Sequence, residues 1–235
     1  MVEIKIESSI GYIYVWIHVW WGGGCINIYI SQLESTQMTP DELMIFPDLP
    51  PLPRELYEAS DAYDTSKQLA KQIDRICTRK GIKFINTPYD RFDVSPGIKN
   101  WVHEHVGTDY TDIGVSIHGA GWACPHHDTS RNWTLIWLLR TGGPAVDTIH
   151  WLEEGKPYIR PLVKEYPKTY DNLTEICRHR MPVGEWYLIN AQVLHSIEPM
   201  PDGGRTAIQI GFWDDSPTIA RLKAMGVKRD RRQYP

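Results

Sequence analysis

The alternation of apolar and polar positions near the start of the chain predicts a β-hairpin. Between Tyr12 and Trp20 every second residue is Ile or Val, and aromatic side chains and His18 occupy the positions between them. A repeat of two places alternate side chains on opposite faces of a strand. A second alternating stretch at 25–30 follows three glycines at 22–24, which are the predicted turn.

A helical period is predicted in the middle of the chain. The proline-rich connector at 47–53 can be neither helix nor central strand, because proline lacks the backbone N–H group. A helix is predicted over 55–80 with Gly81 as its C-cap. Its buried face carries Leu69, Ile73 and Ile76. A second, shorter helix is predicted over 98–106.

Beyond residue 111, turn residues divide the chain into short apolar stretches, which predicts a series of strands. The candidates are 112–118, 133–140, 148–152, 186–190, 193–198 and 206–213. Glycine- and proline-rich turns separate several of them. Many short strands at nearly regular spacing indicate a sandwich or a jelly roll, so the predicted fold class is mainly β with supporting helices.

The composition is that of a folded protein without a strong charge bias. Of the 235 residues, 42% are hydrophobic and 23% are charged, and the formal net charge is −4. These values exclude a disordered chain and provide no basic field for nucleic acid. The longest apolar run, 10–21, is interrupted by His18 and is shorter than the about 20 residues of a membrane helix. Four cysteines without a CxxC pair favour free thiols, and we expect a cytoplasmic location.

The motif His126-His127-Asp128 is a candidate metal-binding element. In an extended chain the positions i and i+2 share a face, so His126 and Asp128 can hold one metal ion while His127 faces away. His195, in the strand candidate 193–198, is the candidate third ligand. Two histidines and one carboxylate leave the other coordination positions open, which suits non-haem Fe(II) and O₂ chemistry.

Arg205 adds a second chemical feature to this candidate site. It follows His195 by ten residues, across a Pro-Asp-Gly-Gly turn. A hairpin over that turn brings the arginine to the same pocket. A guanidinium group matches a carboxylate with two parallel hydrogen bonds. An open metal site beside this arginine therefore points to a dicarboxylate cosubstrate.

These four positions together resemble the 2-oxoglutarate/Fe(II)-dependent oxygenases, a superfamily that includes many hydroxylases. Its members carry an H-x-D motif, a distal histidine and an arginine shortly after that histidine. In this chain the distal histidine, His195, follows Asp128 by 67 residues and is followed by Arg205. The resemblance covers about residues 111–214.

The resemblance implies a double-stranded β-helix core, of the jelly-roll or cupin-like kind, over 111–214. It also implies a single oxygenase domain that spans 1–235. Residues 1–110 would supply the N-terminal hairpin and helical support, and residues 215–235 would form a C-terminal tail.

The chemistry is likewise implied by the resemblance. Fe(II) would be held by His126, Asp128 and His195, which are the expected catalytic residues. The cosubstrate 2-oxoglutarate would chelate the iron and place its far carboxylate on Arg205, with O₂ as the oxidant. The expected reaction hydroxylates an unactivated C–H bond of a small molecule or an amino-acid side chain and releases succinate and CO₂.

One position departs from the pattern of the family. Members often carry Ser or Thr two residues after the arginine to help bind the cosubstrate, and this chain has Ala207 there. Thr134 and Tyr187 are the candidate replacement donors. Arg131, just past the first motif, is a candidate contact to the substrate or to the metal-chelating carboxylate of the cosubstrate.

Two other classes of function stay open from the sequence. The first alternative is a cupin-like metalloenzyme, a dioxygenase or an isomerase, that uses the same metal ligands without 2-oxoglutarate. The second is a non-catalytic jelly-roll binding module with a Trp- and Tyr-rich ligand surface. The expected partner is a small-molecule or peptidyl substrate. The sequence argues against nucleic acid and membrane partners.

Overall fold

The structure, a computed structural model, describes residues 2–8, 11–22, 25–32, 40–58, 76–156 and 166–226. In these ranges the chain forms fifteen β-strands and four α-helices. The predicted fold class, mainly β with supporting helices, is confirmed. Every ladder between two of the strands is antiparallel.

Strands outnumber helices along the whole described chain. In chain order the strands are β1 (Val2–Ser8), β2 (Gly11–Gly22), β3 (Cys25–Gln32), β4 (Met44–Ile45), β5 (Ile76–Arg79), β6 (Ile82–Ile85), β7 (Tyr89–Phe92), β8 (Asp112–His118), β9 (Gly121–His126), β10 (Trp133–Arg140), β11 (Asp147–Glu153), β12 (Leu173–Arg180), β13 (Trp186–Asn190), β14 (His195–Met200) and β15 (Arg205–Phe212). The helices are α1 (Pro40–Leu43), α2 (Glu55–Glu58), α3 (Pro96–His105) and α4 (Pro217–Ala224).

Two larger sheets carry the second half of the chain. One has six strands in the order β4-β13-β10-β15-β8-β7, and the other has four in the order β12-β11-β14-β9. Strands β8, β10, β13 and β15 belong to the first sheet, and β9, β11, β12 and β14 to the second. The chain therefore passes repeatedly between the two sheets. Strands β1–β3 form a separate three-stranded sheet, and β5 and β6 form a hairpin.

Helices α3 and α4 pack against one face of the six-stranded sheet. Each helix begins with a serine cap followed by proline. Ser95 and Ser216 accept hydrogen bonds from the backbone N–H groups three residues later. Both helices bury their apolar residues in the main core with Leu135, Trp137 and other sheet residues. The opposite face of this sheet is therefore free to line a cavity.

The strand predictions agree closely with the structure. The N-terminal hairpin is β2 and β3, and the six predicted strands correspond to β8, β10, β11, β13, β14 and β15. The helix predicted over 98–106 is α3. The strands that were not predicted from the sequence are β1, β4, β5, β6, β7, β9 and β12.

The helix predicted over 55–80 is wrong at its C-terminal end. Helix α2 covers only Glu55–Glu58, and the chain from Ile76 is strand β5. Lys80 and Gly81 have φ values of 49° and 78°, so they form the tight turn of the β5–β6 hairpin. Gly81 is thus a hairpin residue and not a helix C-cap, because a two-residue hairpin turn requires positive φ. The predicted face at 69 and 73 lies outside the described residues.

The predicted C-terminal tail needs a correction as well. Its first part, after residue 215, contains helix α4, whose Ile219 and Leu222 are buried in the main core. The basic stretch at 228–232 lies outside the described residues. Of the four cysteines, Cys77, Cys124 and Cys177 are free thiols. No helix in the described part of the chain is long and apolar enough to cross a membrane.

A core substitution tests the central position of β10 in this fold. Leu135 is 0% exposed, whereas Ile82 in the β5–β6 hairpin is 64% exposed. We expect Leu135→Ala to lower the free energy of unfolding by about 2–5 kcal/mol, because it removes buried methyl groups and leaves a cavity. The melting temperature should fall by about 5–15 °C.

The matched control is Ile82→Ala, which should change the free energy of unfolding by less than about 0.5 kcal/mol. Both variants are compared by thermal and urea unfolding. Equal losses of stability in the two would contradict the assignment of Leu135 to the core.

Candidate metal centre

A cavity of about 260 Å³ lies between the two larger sheets. Residues of β8, β10 and β15 line it from the six-stranded sheet, and residues of β9, β11 and β14 line it from the four-stranded sheet. Along β8 the alternation of strand side chains separates Val115 and Ile117, which join the helix-covered core, from Ser116 and His118, which line the cavity. The cavity is therefore the place where the inner faces of the two sheets meet.

Three of the sequence-predicted residues come together in this cavity. His126 ends β9, Asp128 follows two residues later, and His195 begins β14. Strands β9 and β14 are antiparallel neighbours in which His195 pairs with His126. The candidate ligand atoms of the three side chains all lie within 4.8 Å of one another. They can hold one metal ion together.

Hydrogen bonds to the backbone orient both histidines. His126 Nδ1 lies 2.8 Å from the Cys124 carbonyl oxygen, and His195 Nδ1 lies 2.9 Å from that of Val193. A carbonyl oxygen only accepts, so each Nδ1 carries the hydrogen and donates it. Each Nε2 then keeps its lone pair, which is the form of imidazole that binds metal ions.

The carboxylate of Asp128 is held in its charged form. Arg131 Nε donates to Asp128 Oδ2 at 2.7 Å, and Thr134 Oγ1 donates to the same oxygen at 3.4 Å. Burial alone would raise the pKa of Asp128, but the charge of Arg131 and its hydrogen bond hold the pKa well below the usual range. Both contacts fall on Oδ2, which leaves Oδ1 as the oxygen available to a metal.

Arg131 is itself tied into a network beneath the site. Its Nη1 lies 3.3 Å from Asp112 Oδ1, and its Nη2 donates to Gln209 Oε1 at 3.3 Å. A Cβ atom at Gly211 would lie only 2.6 Å from Arg131 Cδ, so the glycine provides the space for this side chain. Arg131 lines the cavity, as a contact to substrate or cosubstrate requires. Its described hydrogen bonds also give it the role of orienting Asp128.

Arg205 is a buried cation without a described counter-ion. It begins β15, lines the cavity and is 3% exposed. Its described hydrogen bond is from Nη2 to the Met181 sulfur at 3.3 Å, and no described carboxylate pairs with it. Burial lowers the pKa of Arg205 to about 10. A guanidinium in such a place is stabilised by an incoming anion.

His118 is a cavity residue that the sequence analysis missed. It pairs with Arg205 across the β8–β15 ladder, and its buried Nδ1 atom has no described hydrogen-bond partner. Burial and the charge of Arg205 lower the pKa of His118 to about 3, so the imidazole is neutral at pH 7. The alternation along the predicted strand 112–118 indicates which face of the strand His118 occupies. It does not indicate the strand pairing that brings His118 next to Arg205.

The remaining predicted donors differ in their position. Thr134 lines the cavity and contacts Asp128. Tyr187 is fully buried, its hydroxyl donates to the Pro182 carbonyl oxygen, and it is not among the residues that line the cavity. Opposite Ala207, Ser116 of β8 places a hydroxyl group on the cavity face and donates to the Ala207 carbonyl oxygen at 3.3 Å.

Comparison with known proteins does not assign the chain to a family. The sequence matches no protein-family model, and it matches no curated protein. Function must therefore be inferred from the site alone.

Removal of Arg131 tests whether the network beneath the site supports metal binding. We expect Arg131→Met to weaken Co(II) binding by about 10–100-fold, because Asp128 loses both its orientation and the charge that lowers its pKa. Calorimetric titration with Co(II) measures the change in affinity.

The control is Arg178→Met, which removes an arginine paired with Glu175 and Asp147 away from the cavity. This variant should bind Co(II) like the unmodified protein. An affinity unchanged in a folded Arg131→Met protein would show that Asp128 does not need its arginine to bind metal.

Proposed function

We propose that this chain is an Fe(II)- and 2-oxoglutarate-dependent oxygenase that hydroxylates an unactivated C–H bond of its substrate. The observation that carries the proposal is a cavity that contains both His126, Asp128 and His195 and the buried Arg205, which has no described counter-ion. The first set can hold a metal ion with open positions. The arginine offers a receptor for the carboxylate of a metal-chelating cosubstrate.

We further propose that the two facing sheets form a double-stranded β-helix core within a single domain. The passage of the chain between the sheets from β8 to β15 supports this fold. The N-terminal sheet and the helices would then be additions to the core. Free thiols at Cys77, Cys124 and Cys177 support a cytoplasmic location.

The chemistry of the donor set fits Fe(II). Two imidazole nitrogens with free lone pairs and one carboxylate oxygen are the ligands of non-haem iron oxygenases. When bound with 2-oxoglutarate, iron supplies the activation of O₂ for C–H oxidation. The presence of Asp128 favours hydroxylation over halogenation, because halogenases vacate this ligand position for chloride.

The residues around the metal ligands each have a defined task in this proposal. Arg131 keeps Asp128 ionised and fixes the oxygen that it presents. Arg205 and the neutral His118 offer N–H groups to the far carboxylate of 2-oxoglutarate. His118 thereby supplies the donor that Ala207 lacks. A carboxylate bound at this end of the cavity would meet a buried positive charge and would therefore be held strongly.

An anaerobic titration tests metal and cosubstrate together. Fe(II) and then 2-oxoglutarate are added to the apo-protein, and we expect a weak visible metal-to-ligand charge-transfer band. The band should be lost in His195→Ala, because the iron loses one of its three ligands. The control His103→Ala removes an exposed histidine of α3 and should keep the band.

The same samples are then tested for turnover with O₂. His126→Ala and Asp128→Ala should release no succinate although both variants remain folded. Iron binding without the band would favour the cupin-like metalloenzyme. No uptake of Fe(II), Mn(II) or Co(II) would favour a binding module.

Substitution at the anion end of the cavity tests the role of the cosubstrate pocket. We expect Arg205→Met to raise the Kd of 2-oxoglutarate by about 10–100-fold, because a hydrogen bond to a charged group contributes about 1.5–3 kcal/mol. His118→Ala should raise this Kd by about 5–10-fold, since it removes a neutral donor.

Calorimetry with 2-oxoglutarate measures both effects on the Mn(II)-loaded protein. Neither residue is a metal ligand, so the Mn(II) affinity of both variants should be unchanged. If Arg205→Met binds 2-oxoglutarate normally, the cosubstrate is not the ligand of this arginine and the oxygenase proposal fails.

A further inference from the structure

A third arginine at the cavity, besides Arg131 and Arg205, has an N–H donor that the proposed cosubstrate does not use. Arg91 lies on β7, the edge strand of the six-stranded sheet, and lines the cavity. Its Nη1 lies 2.8 Å from Asp112 Oδ2. Its Nη2 is buried and has no hydrogen-bond partner among the described residues. A buried N–H group of a cation without an acceptor is costly, so an anion that reached this atom would be stabilised by it.

A glycine below Arg91 provides the space that its side chain occupies. A Cβ atom at Gly114 would lie 2.5 Å from Arg91 Nε and 3.2 Å from Arg91 Cγ. The side chain therefore lies over a glycine that leaves space for it. The contact with Asp112 fixes the other end of the side chain. A guanidinium that is already held by an ion pair loses little conformational freedom when an anion binds, which favours affinity.

Arg91 and Arg205 serve different positions in the cavity. Arg91 pairs with Ser116 on one side of β8 and extends toward Gly114. Arg205 pairs with His118 on the other side of β8 and extends toward Met181. Their strands are separated by two inter-strand spacings, or about 10 Å. One small carboxylate is therefore not expected to satisfy both arginines.

The charges around the cavity leave one positive charge unbalanced after cosubstrate binding. Arg91, Arg131 and Arg205 line the cavity, whereas Asp128 is the only carboxylate among its described lining residues. Asp112, which is shared by Arg91 and Arg131, supplies one further negative charge. The two positive charges of Fe(II) and the two negative charges of 2-oxoglutarate cancel. The sum with neutral histidines is then plus one, which favours a singly charged anion as the substrate.

Arg91 is also connected to the metal ligands. Asp128 contacts Arg131 at 2.7 Å, Arg131 contacts Asp112 at 3.3 Å, and Asp112 contacts Arg91 at 2.8 Å. This chain of ion pairs fixes the position of Arg91 relative to the candidate metal ligand Asp128. An anion bound at Arg91 is held in the cavity that also contains the metal ligands, so its carbon chain can be directed toward them.

We infer that Arg91 binds the carboxylate of the substrate, so that the substrate is a small organic acid with one free carboxylate. The inference rests on the proposed function for the identity of the reaction, but the anion site itself stands on the geometry of Arg91. A cavity of about 260 Å³ suits a small molecule. The class is that of small monocarboxylic acids, whose single negative charge matches the unbalanced positive charge at the cavity.

The test uses matched pairs of small acids and their amides as probes. The full-length protein is loaded with Zn(II), which supports no oxidation, and with 2-oxoglutarate. Saturation-transfer NMR then measures the binding of propionate, benzoate and N-acetylglycine, each beside its primary amide. We expect transfer to the acids and little to the amides. Arg91→Met should reduce the acid affinity about tenfold, because it removes a charged hydrogen-bond donor.

Two control variants make the result specific. Arg178→Met removes an arginine outside the cavity and should leave acid binding unchanged. Arg91→Lys keeps the charge and should retain part of the affinity. Equal binding of acids and amides, no binding of any probe, or acid binding that is unchanged in folded Arg91→Met would each overturn the inference. If inorganic phosphate binds more tightly than the acids and its binding depends on Arg91, the inference of a carboxylate substrate is overturned in favour of a phosphate ester.

The affinity for 2-oxoglutarate, measured by calorimetry on the same samples, separates this inference from the proposed function. If 2-oxoglutarate does not bind but the acids still require Arg91, the oxygenase proposal fails and the anion site stands. If 2-oxoglutarate binds but the affinity of the acids is the same in Arg91→Met, the oxygenase proposal stands and the inferred substrate class is wrong.

Discussion

The site depends on the register of one pair of strands, β9 and β14. Their antiparallel pairing sets His195 opposite His126, and Asp128 follows two residues further along the chain. Because strand side chains alternate between faces, a shift of one residue would turn one histidine away from the cavity. The contacts of both imidazoles with backbone carbonyl groups add to this constraint, since they fix the rings on the strands that carry them.

Charge is distributed around the cavity so that carboxylates and arginines stabilise one another. Arg131 lies between Asp128 and Asp112, and Asp112 is shared with Arg91. The glycines at 114 and 211 leave room for the long side chains. Arg205 differs because its described neighbours include a thioether and a neutral imidazole but no carboxylate. This contrast distinguishes Arg131, which contacts the candidate metal ligand Asp128, from Arg205, for which we propose an anionic ligand.

Local patterns in the sequence predicted much of the fold and the three candidate metal ligands. Short apolar stretches bounded by turn residues predicted β8, β10 and β13 closely, and the i,i+2 spacing of His126 and Asp128 predicted a shared face. Pairings between distant strands were not readable, so His118 beside Arg205 was missed, as was Arg91 at the cavity. The error at 76–81 arose because isolated apolar residues fit either period, and only the Lys80-Gly81 turn distinguishes them.

The passage of the chain between two sheets also has a kinetic consequence. No short segment can assemble the three metal ligands, because β9 and β14 become neighbours only after the intervening strands have been distributed between both sheets. Proteins dominated by such non-local pairings fold in about milliseconds to seconds, and helical bundles fold much faster. We therefore expect that an ion held by all three candidate ligands binds only late in folding, after β9 and β14 have paired.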